Sequence, residues 1–108
     1  MTKVIITRKD NHITQVECSG HTGYAESGED IVCAALSSIV QTALLGLMQV
    51  AGIQAEYITS DYNGYIKISL PELNAEERHD ADMILDTMLM GIDDLYQGYS
   101  DFIELEVR

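Results

Sequence analysis

The sequence predicts an α+β domain: a single mixed or antiparallel sheet with two helices on one face, in the order β-β-α-β-β-α-β. Three observations carry this expectation. Short β-branched runs are joined across turn residues at Asp10-Asn11 and at Asn63-Gly64, the pattern of β-hairpins. From Ile31 to Ile53 no side chain is charged, which suits a buried helix. Behind Asn74, apolar residues recur at spacings of three and four, the period of a helix with one buried face.

Residues 2–8, Thr-Lys-Val-Ile-Ile-Thr-Arg, form the first predicted strand, because β-branched side chains suit a pleated surface. Lys9-Asp10-Asn11 supplies a turn, since Asp and Asn bond to their own backbone there. Residues 12–19 resume as a strand, with Thr14, Val16 and Cys18 expected on one face and Ile13, Gln15 and Glu17 on the other. This hairpin delivers the chain to Gly20-His21 at a strand end. The charge-free segment that follows has the length of a membrane span, for which ~20 apolar residues suffice. Ser37, Ser38, Gln41, Thr42 and Gln49 interrupt it, both flanks are acidic, and no Lys or Arg marks a cytoplasmic side. It is read as the central helix of the core, ended by Gly52. Residues 54–60 and 65–70 alternate as two strands around Asn63-Gly64, and Pro71 ends the second. Asn74-Ala75-Glu76-Glu77 resembles a capping box. The stripe behind it is Ala81, Leu85, Met88, Ile92 and Leu95. A last strand runs from Phe102 to Val107. Strand order is not readable from this pattern.

At 108 residues the chain is expected to be one domain, residues 1–108. Two cysteines are too few for a secreted disulfide framework, and no signal-peptide pattern stands at the start. A cytoplasmic location is therefore the expectation. The formal charge is −12, from 18 acidic and 6 basic residues. A nucleic-acid partner would need a basic patch, so no direct nucleic-acid partner is expected. The same field attracts a basic protein, and it also keeps the chain soluble.

The candidate chemistry lies between Gly20 and Ser37. Ser27-Gly28-Glu29-Asp30 signals a helix start, where free backbone N–H groups carry partial positive charge. Cys33 follows just inside that helix, and a cysteine in a first turn has its thiolate favoured. With His21 within reach, the two make a nucleophile and a general base. Gly20, Gly23 and Gly28 bracket a loop with the composition of a mobile lid. His12 and His79 are expected on the surface. Plainer readings stand beside this one. Cys33 also fits as a small buried apolar residue, and His21 as a loop histidine bonded to backbone. Cys18-x-x-His21 with Cys33 offers three metal donors, but in no recognised finger spacing. A Cys18–Cys33 disulfide is disfavoured in a reducing compartment. From the residues alone the reading stops at a small domain with a candidate thiol site that needs no cofactor and no metal.

The run Gly20-His21-Thr22-Gly23-Tyr24-Ala25, followed by Gly28-Glu29-Asp30-Ile31-Val32-Cys33-Ala34-Ala35 and Ser37, resembles the ribosomal-processing cysteine protease family (Prp, YsxB-like). The likeness extends to chain length, element order and the acidic second helix. It implies an endopeptidase that removes the N-terminal extension of large-subunit ribosomal protein twenty-seven after an apolar, aromatic-rich stretch. It also implies a catalytic pair at Cys33 and His21, a homodimer, and a loop between the pair that moves to admit substrate. Asp30 is a candidate for orienting the histidine, and Ser37 for lining the pocket. The partner implied is a ribosomal protein precursor, with no nucleic acid and no membrane. Two other classes stay open: a non-catalytic module that docks a ribosomal protein, and a redox or metal-responsive thiol protein with Cys18 as second thiol.

Overall fold

Two residues in left-handed backbone, Asp10 (φ 54°) and Asn11 (φ 66°), close the first hairpin, as a tight turn matched to strand twist requires. The computed structural model describes residues 1–20, 29–60 and 64–108, with the side chains of Glu29 and Asp30 left out. The loop positions His21, Gly23 and Gly28, and Asn63 of the second turn, lie outside the described residues. Gly64 is described and has φ 58°, consistent with the turn expected there.

The elements are β1 (Thr2–Lys9), β2 (His12–Ser19), α1 (Glu29–Leu45), β3 (Glu56–Ser60), β4 (Tyr65–Ser69), α2 (Ala75–Tyr99) and β5 (Ile103–Val107). The predicted order is observed. The five strands form one sheet in the order β3-β4-β2-β1-β5. It is mixed: β5 runs parallel to β1, and the other pairs are antiparallel.

One predicted face differs. Thr7 pairs with Gln15 but Arg8 pairs with Ile13, so the register shifts and Thr14 is the extra residue. Such a bulge turns the following side chains over. Ile13 is therefore buried with Val16 and Cys18, and Thr14 is only partly covered. The displaced Thr14 finds local partners: its hydroxyl donates to the Thr7 carbonyl at 3.3 Å, and its own carbonyl accepts from Leu70 N–H at 3.0 Å.

The helices cover one face of the sheet and share its core. Val4, Ile6, Val16, Cys18, Ile66 and Ile68 meet Val32, Leu36, Val40 and Leu47 from the α1 segment and Ala81, Leu85, Met88 and Ile92 from α2 in one cluster. Residues Ile31–Val50 are apolar and long enough to cross a bilayer by composition. Their inward positions nonetheless form a wall of this core. α1 runs into a wide π turn, Gly46–Val50, closed by Ala51 N–H to the Gly46 carbonyl at 2.9 Å. Gly52 then takes φ 68° and reverses the chain, and Ile53 N–H bonds the Leu47 carbonyl at 2.8 Å. This is the expected glycine stop, reached through a wider last turn.

α2 begins as the sequence predicts. The Asn74 side chain accepts from Glu77 N–H at 2.8 Å, and the Glu77 carboxylate accepts from Asn74 N–H at 3.1 Å. His12, expected on the surface, is half-buried instead. Its Nδ1 lies 2.7 Å from the Asp82 carboxylate, which ties the first hairpin to α2. His79 is exposed as expected.

Candidate active site

The site end of the molecule is built where β2 runs out. Gly20 stands at φ 125°, a conformation that side-chain-bearing residues rarely adopt. A Cβ there would collide with the Met1 carbonyl oxygen and lie 3.0 Å from Thr2 Cα. The glycine thus lets the end of β2 pass close to the start of the chain. Its described role is close approach, and the next residue is His21.

Cys33 enters the site from α1. It is the fifth residue of that helix, one place beyond the first turn. Within the helix, the N–H groups that its start leaves free belong to residues 29–31. The expected first-turn placement is therefore shifted by about one residue, and helix-end effects fall off over that distance. Helix side chains lean toward the N-terminus, so the sulfur projects over the first turn despite the shift. Cys33 is 8% exposed, so it is nearly buried.

Cys18, on β2, is fully buried. Burial pushes its thiol up to about 12, and charge on neighbouring Cys33 adds to the rise. Both cysteines are free. A thiol held this firmly protonated is a poor nucleophile, so the pair divides into an inert buried Cys18 and a better placed Cys33. The metal set Cys18, His21 and Cys33 includes a residue outside the described ones. Among the described residues no group of three or more His, Cys, Asp or Glu converges on one point.

Ser37 lies one turn after Cys33, as the sequence suggests, and lines a groove of about 450 Å³ between α1 and the β3–β4 hairpin. Gln41, Leu44, Leu45 and Met48 continue the helical wall, and Tyr57, Thr59, Ser60, Gly64, Tyr65 and Ile66 form the opposite one. Pairing of Tyr57 with Ile68 and of Thr59 with Ile66 puts these β3 side chains on the helix-facing side of the sheet. The near end of the hairpin is anchored by Tyr65, whose hydroxyl donates to the Glu17 carboxylate at 2.6 Å. That bond raises the Tyr65 phenol above its ordinary range.

Of the predicted site residues, Cys33 and Ser37 stand one turn apart on α1, and Ser37 lines the groove while Cys33 is not part of its wall. Asp30 belongs to the first turn of α1, with its side chain outside the description, and the position of His21 relative to Cys33 lies outside it as well. The groove walls beyond Ser37 are absent from the sequence reading. One signal for them was present: Cys33, Ser37 and Gln41 recur every fourth residue in a charge-free segment, which places them on one face. Tyr57 and Thr59 carried no such signal.

Comparison with known proteins agrees with this geometry. The family model for cysteine protease Prp matches residues 1–104. The ribosomal processing cysteine protease Prp of Bacillus subtilis (strain 168) is 29% identical over 93 residues, covering 85% of this chain and 83% of that protein. The protein of the same name from Staphylococcus aureus (strain Mu50 / ATCC 700699) is 26% identical over 104 residues, 96% of this chain and 95% of its own. Among solved structures, the essential ribosomal processing protease Prp from S. aureus in complex with a substrate peptide superimposes with a TM-score of 0.89, at 26% identity and full coverage of both chains. The same protease with a covalently linked product peptide gives 0.84 at 28% identity, again over both chains in full. With its fold and a match over nearly its whole length, the chain belongs to the cysteine protease Prp family, the ribosomal processing cysteine proteases.

Proposed function

We propose that this protease removes the N-terminal extension of large-subunit ribosomal protein twenty-seven, with Cys33 as nucleophile and His21 as general base. The observation that carries the reading is the place of Cys33, the fifth residue of α1 and one turn before the groove-lining Ser37, in a chain matched to a cysteine protease family over residues 1–104. His21 takes the thiol proton as sulfur attacks the scissile carbonyl, and the tetrahedral oxyanion forms beside the free N–H groups of the first helical turn. The imidazolium then gives its proton to the departing amine, leaving a thioester on Cys33. Water, deprotonated by His21, attacks the thioester and frees the cut extension as a carboxylate, and the proton held by His21 returns to the Cys33 sulfur. Asp30 orients the imidazole, and Ser37 lines the approach. Gly20, Gly23 and Gly28 bracket the loop that opens for substrate.

The proposal places the enzyme in the cytoplasm, where ribosomal proteins are processed, and as a homodimer. Support for the dimer comes from exposed apolar residues on the two helices, Ile31, Leu45, Met83 and Met90, since large exposed apolar side chains mark association surfaces.

Intact-mass analysis of the extended ribosomal protein tests the chemistry. Wild type is expected to shorten it at one bond. Cys33→Ala is expected to keep its Tm within a few degrees and to leave the substrate whole. His21→Ala is expected to slow cleavage by roughly 10²–10⁴-fold, the contribution of a positioned base. Turnover retained by Cys33→Ala would remove it as nucleophile. Binding without cleavage by wild type would favour a docking module instead.

A further inference from the structure

In a chain of net charge −12, α1 turns an uncharged face to solvent. Ile31, Ser38 and Leu45 stand seven residues apart, two turns each, and so form one stripe along the helix. All three are exposed, Ile31 at 72% and Leu45 at 58%, and exposed Thr42 lies beside them. The stripe is about 21 Å long at ~1.5 Å per residue. Exposed apolar residues on α2 have different company: Met83 and Met90 share that helix with exposed Glu76, Asp86 and Asp94.

Beside the stripe lies an apolar recess. Ile39 and Ala43 of α1 and Met83, Ile84 and Met88 of α2 line a groove of about 520 Å³ between the helices, and Ser38 and Thr42 form its lip toward the stripe. A face that carries an apolar ridge next to an apolar recess is able to pair with itself, since a two-fold contact sets each ridge into the other's recess. Charge favours the same occupant. Two copies that meet on α1 bring no carboxylates together there, whereas a contact centred on α2 opposes acid to acid. A basic protein finds no carboxylate on α1 to pair with.

Leu45 belongs to two surfaces at once. It stands on the stripe, and it also lines the groove that runs from Ser37 between α1 and the β3–β4 hairpin. Among the described residues that groove has two walls. Leu45 and Tyr57, on opposite walls, are 58% and 50% exposed, so its outer side is open. Because stripe and groove follow the same helix, a copy seated on the stripe lies along that open side and covers Leu45.

We propose that the second copy, seated on the Ile31–Ser38–Leu45 stripe of α1, supplies the outer wall of the groove, so that the groove is complete and cleavage efficient only in the dimer. This rests on the proposed homodimer and on Cys33 being the nucleophile.

The test measures sedimentation and peptide cleavage on one dilution series of wild type, with a synthetic peptide spanning the end of the ribosomal protein's extension. Activity per chain is expected to fall about tenfold or more, the scale of lost pocket contacts, with the same midpoint as dimer dissociation. Thr42→Glu and Met83→Glu place a charge on the contact and leave the groove beyond Ser37 untouched. Both are expected to be monomeric where wild type is dimeric, to keep Tm within a few degrees, and to cleave like fully diluted wild type. A monomeric variant that cleaves as well as the wild-type dimer overturns the inference while sparing the dimer. Wild type that is monomeric throughout and active overturns both. Two variants that stay dimeric overturn the assignment to this face. Calorimetric binding of the peptide to Cys33→Ala, alone and combined with Thr42→Glu, reads the groove without turnover. If binding weakens with loss of the dimer while wild type cleaves nothing, the inference stands and the nucleophile assignment fails. Equal binding by monomer and dimer overturns it.

Discussion

At Gly20 a single missing Cβ decides how the site end is built. Alanine there must hold φ 125° and also displace the Met1 carbonyl and Thr2. Gly20→Ala is expected to cost roughly 2 kcal/mol or more, the cost of a strained backbone plus a clash, and thermal unfolding would show it as a fall of several degrees. An unchanged Tm would contradict the close approach of β2 to the chain's start. Cys18 makes a prediction with a definite sign. Its folded thiol titrates at about 12 against an ordinary 9.0. Below 9 both folded and unfolded chains keep the proton, so the stabilisation is fully present. Between 9 and 12 only the unfolded chain releases it, and stability falls with pH by up to about 1.4 kcal/mol per unit. Urea unfolding from pH 8.5 to 10.5 should show this slope in wild type and a shallower one in Cys18→Ala; parallel slopes would mean that Cys18 is not held protonated by the fold. At this scale the sequence told part of the story. The placement of Cys33 and Ser37 one turn apart follows from local spacing along one helix. Tyr57 did not stand out, because its place depends on β3 lying across from α1, which only long-range pairing decides.

Elements repeat the same division between local and distant information. The α2 start is written in four consecutive residues, and the reciprocal Asn74–Glu77 bonds form as that pattern predicts. Asn74→Ala is expected to cost about 1 kcal/mol by leaving first-turn N–H groups unpartnered. Loss of stability with unchanged kcat would confirm that this helix end acts on the scaffold alone, far from Cys33 in the chain. The hairpin turns were equally legible, since Asp10-Asn11 and Gly64 take positive φ for reasons internal to each turn. The face of Ile13 was not. A bulge at Thr14 shifts the alternation by one residue, and nothing in the apolar pattern of residues 12–19 distinguishes a regular strand from a bulged one. Strand order is less local still. β5 inserts beside β1 in parallel, bringing residues a hundred positions apart into register, and it leaves β3 at the opposite edge where the groove opens.

Over the whole molecule, attraction and selection are carried by different surfaces. The chain carries a net charge of −12, while none of the described residues lining the groove is charged. A basic ribosomal protein would be drawn in by the long-range field and then sorted by an apolar slot that the field barely touches. The two effects separate by salt, because exposed charges are screened over ~8–10 Å at physiological ionic strength. Raising ionic strength from low to high salt is expected to lower kcat/KM for the intact basic substrate by about tenfold, within the range of electrostatic steering. For a neutral peptide spanning the cut, kcat/KM is expected to stay nearly level, because an uncharged chain offers nothing for salt to screen. Saturating kcat should be insensitive to salt for both, since steering acts on encounter rather than on the thioester steps. A matching decline for the two substrates would show that salt acts on the enzyme itself. A flat response for the basic protein would show that its capture owes nothing to the acidic surface, leaving the groove to supply recognition alone.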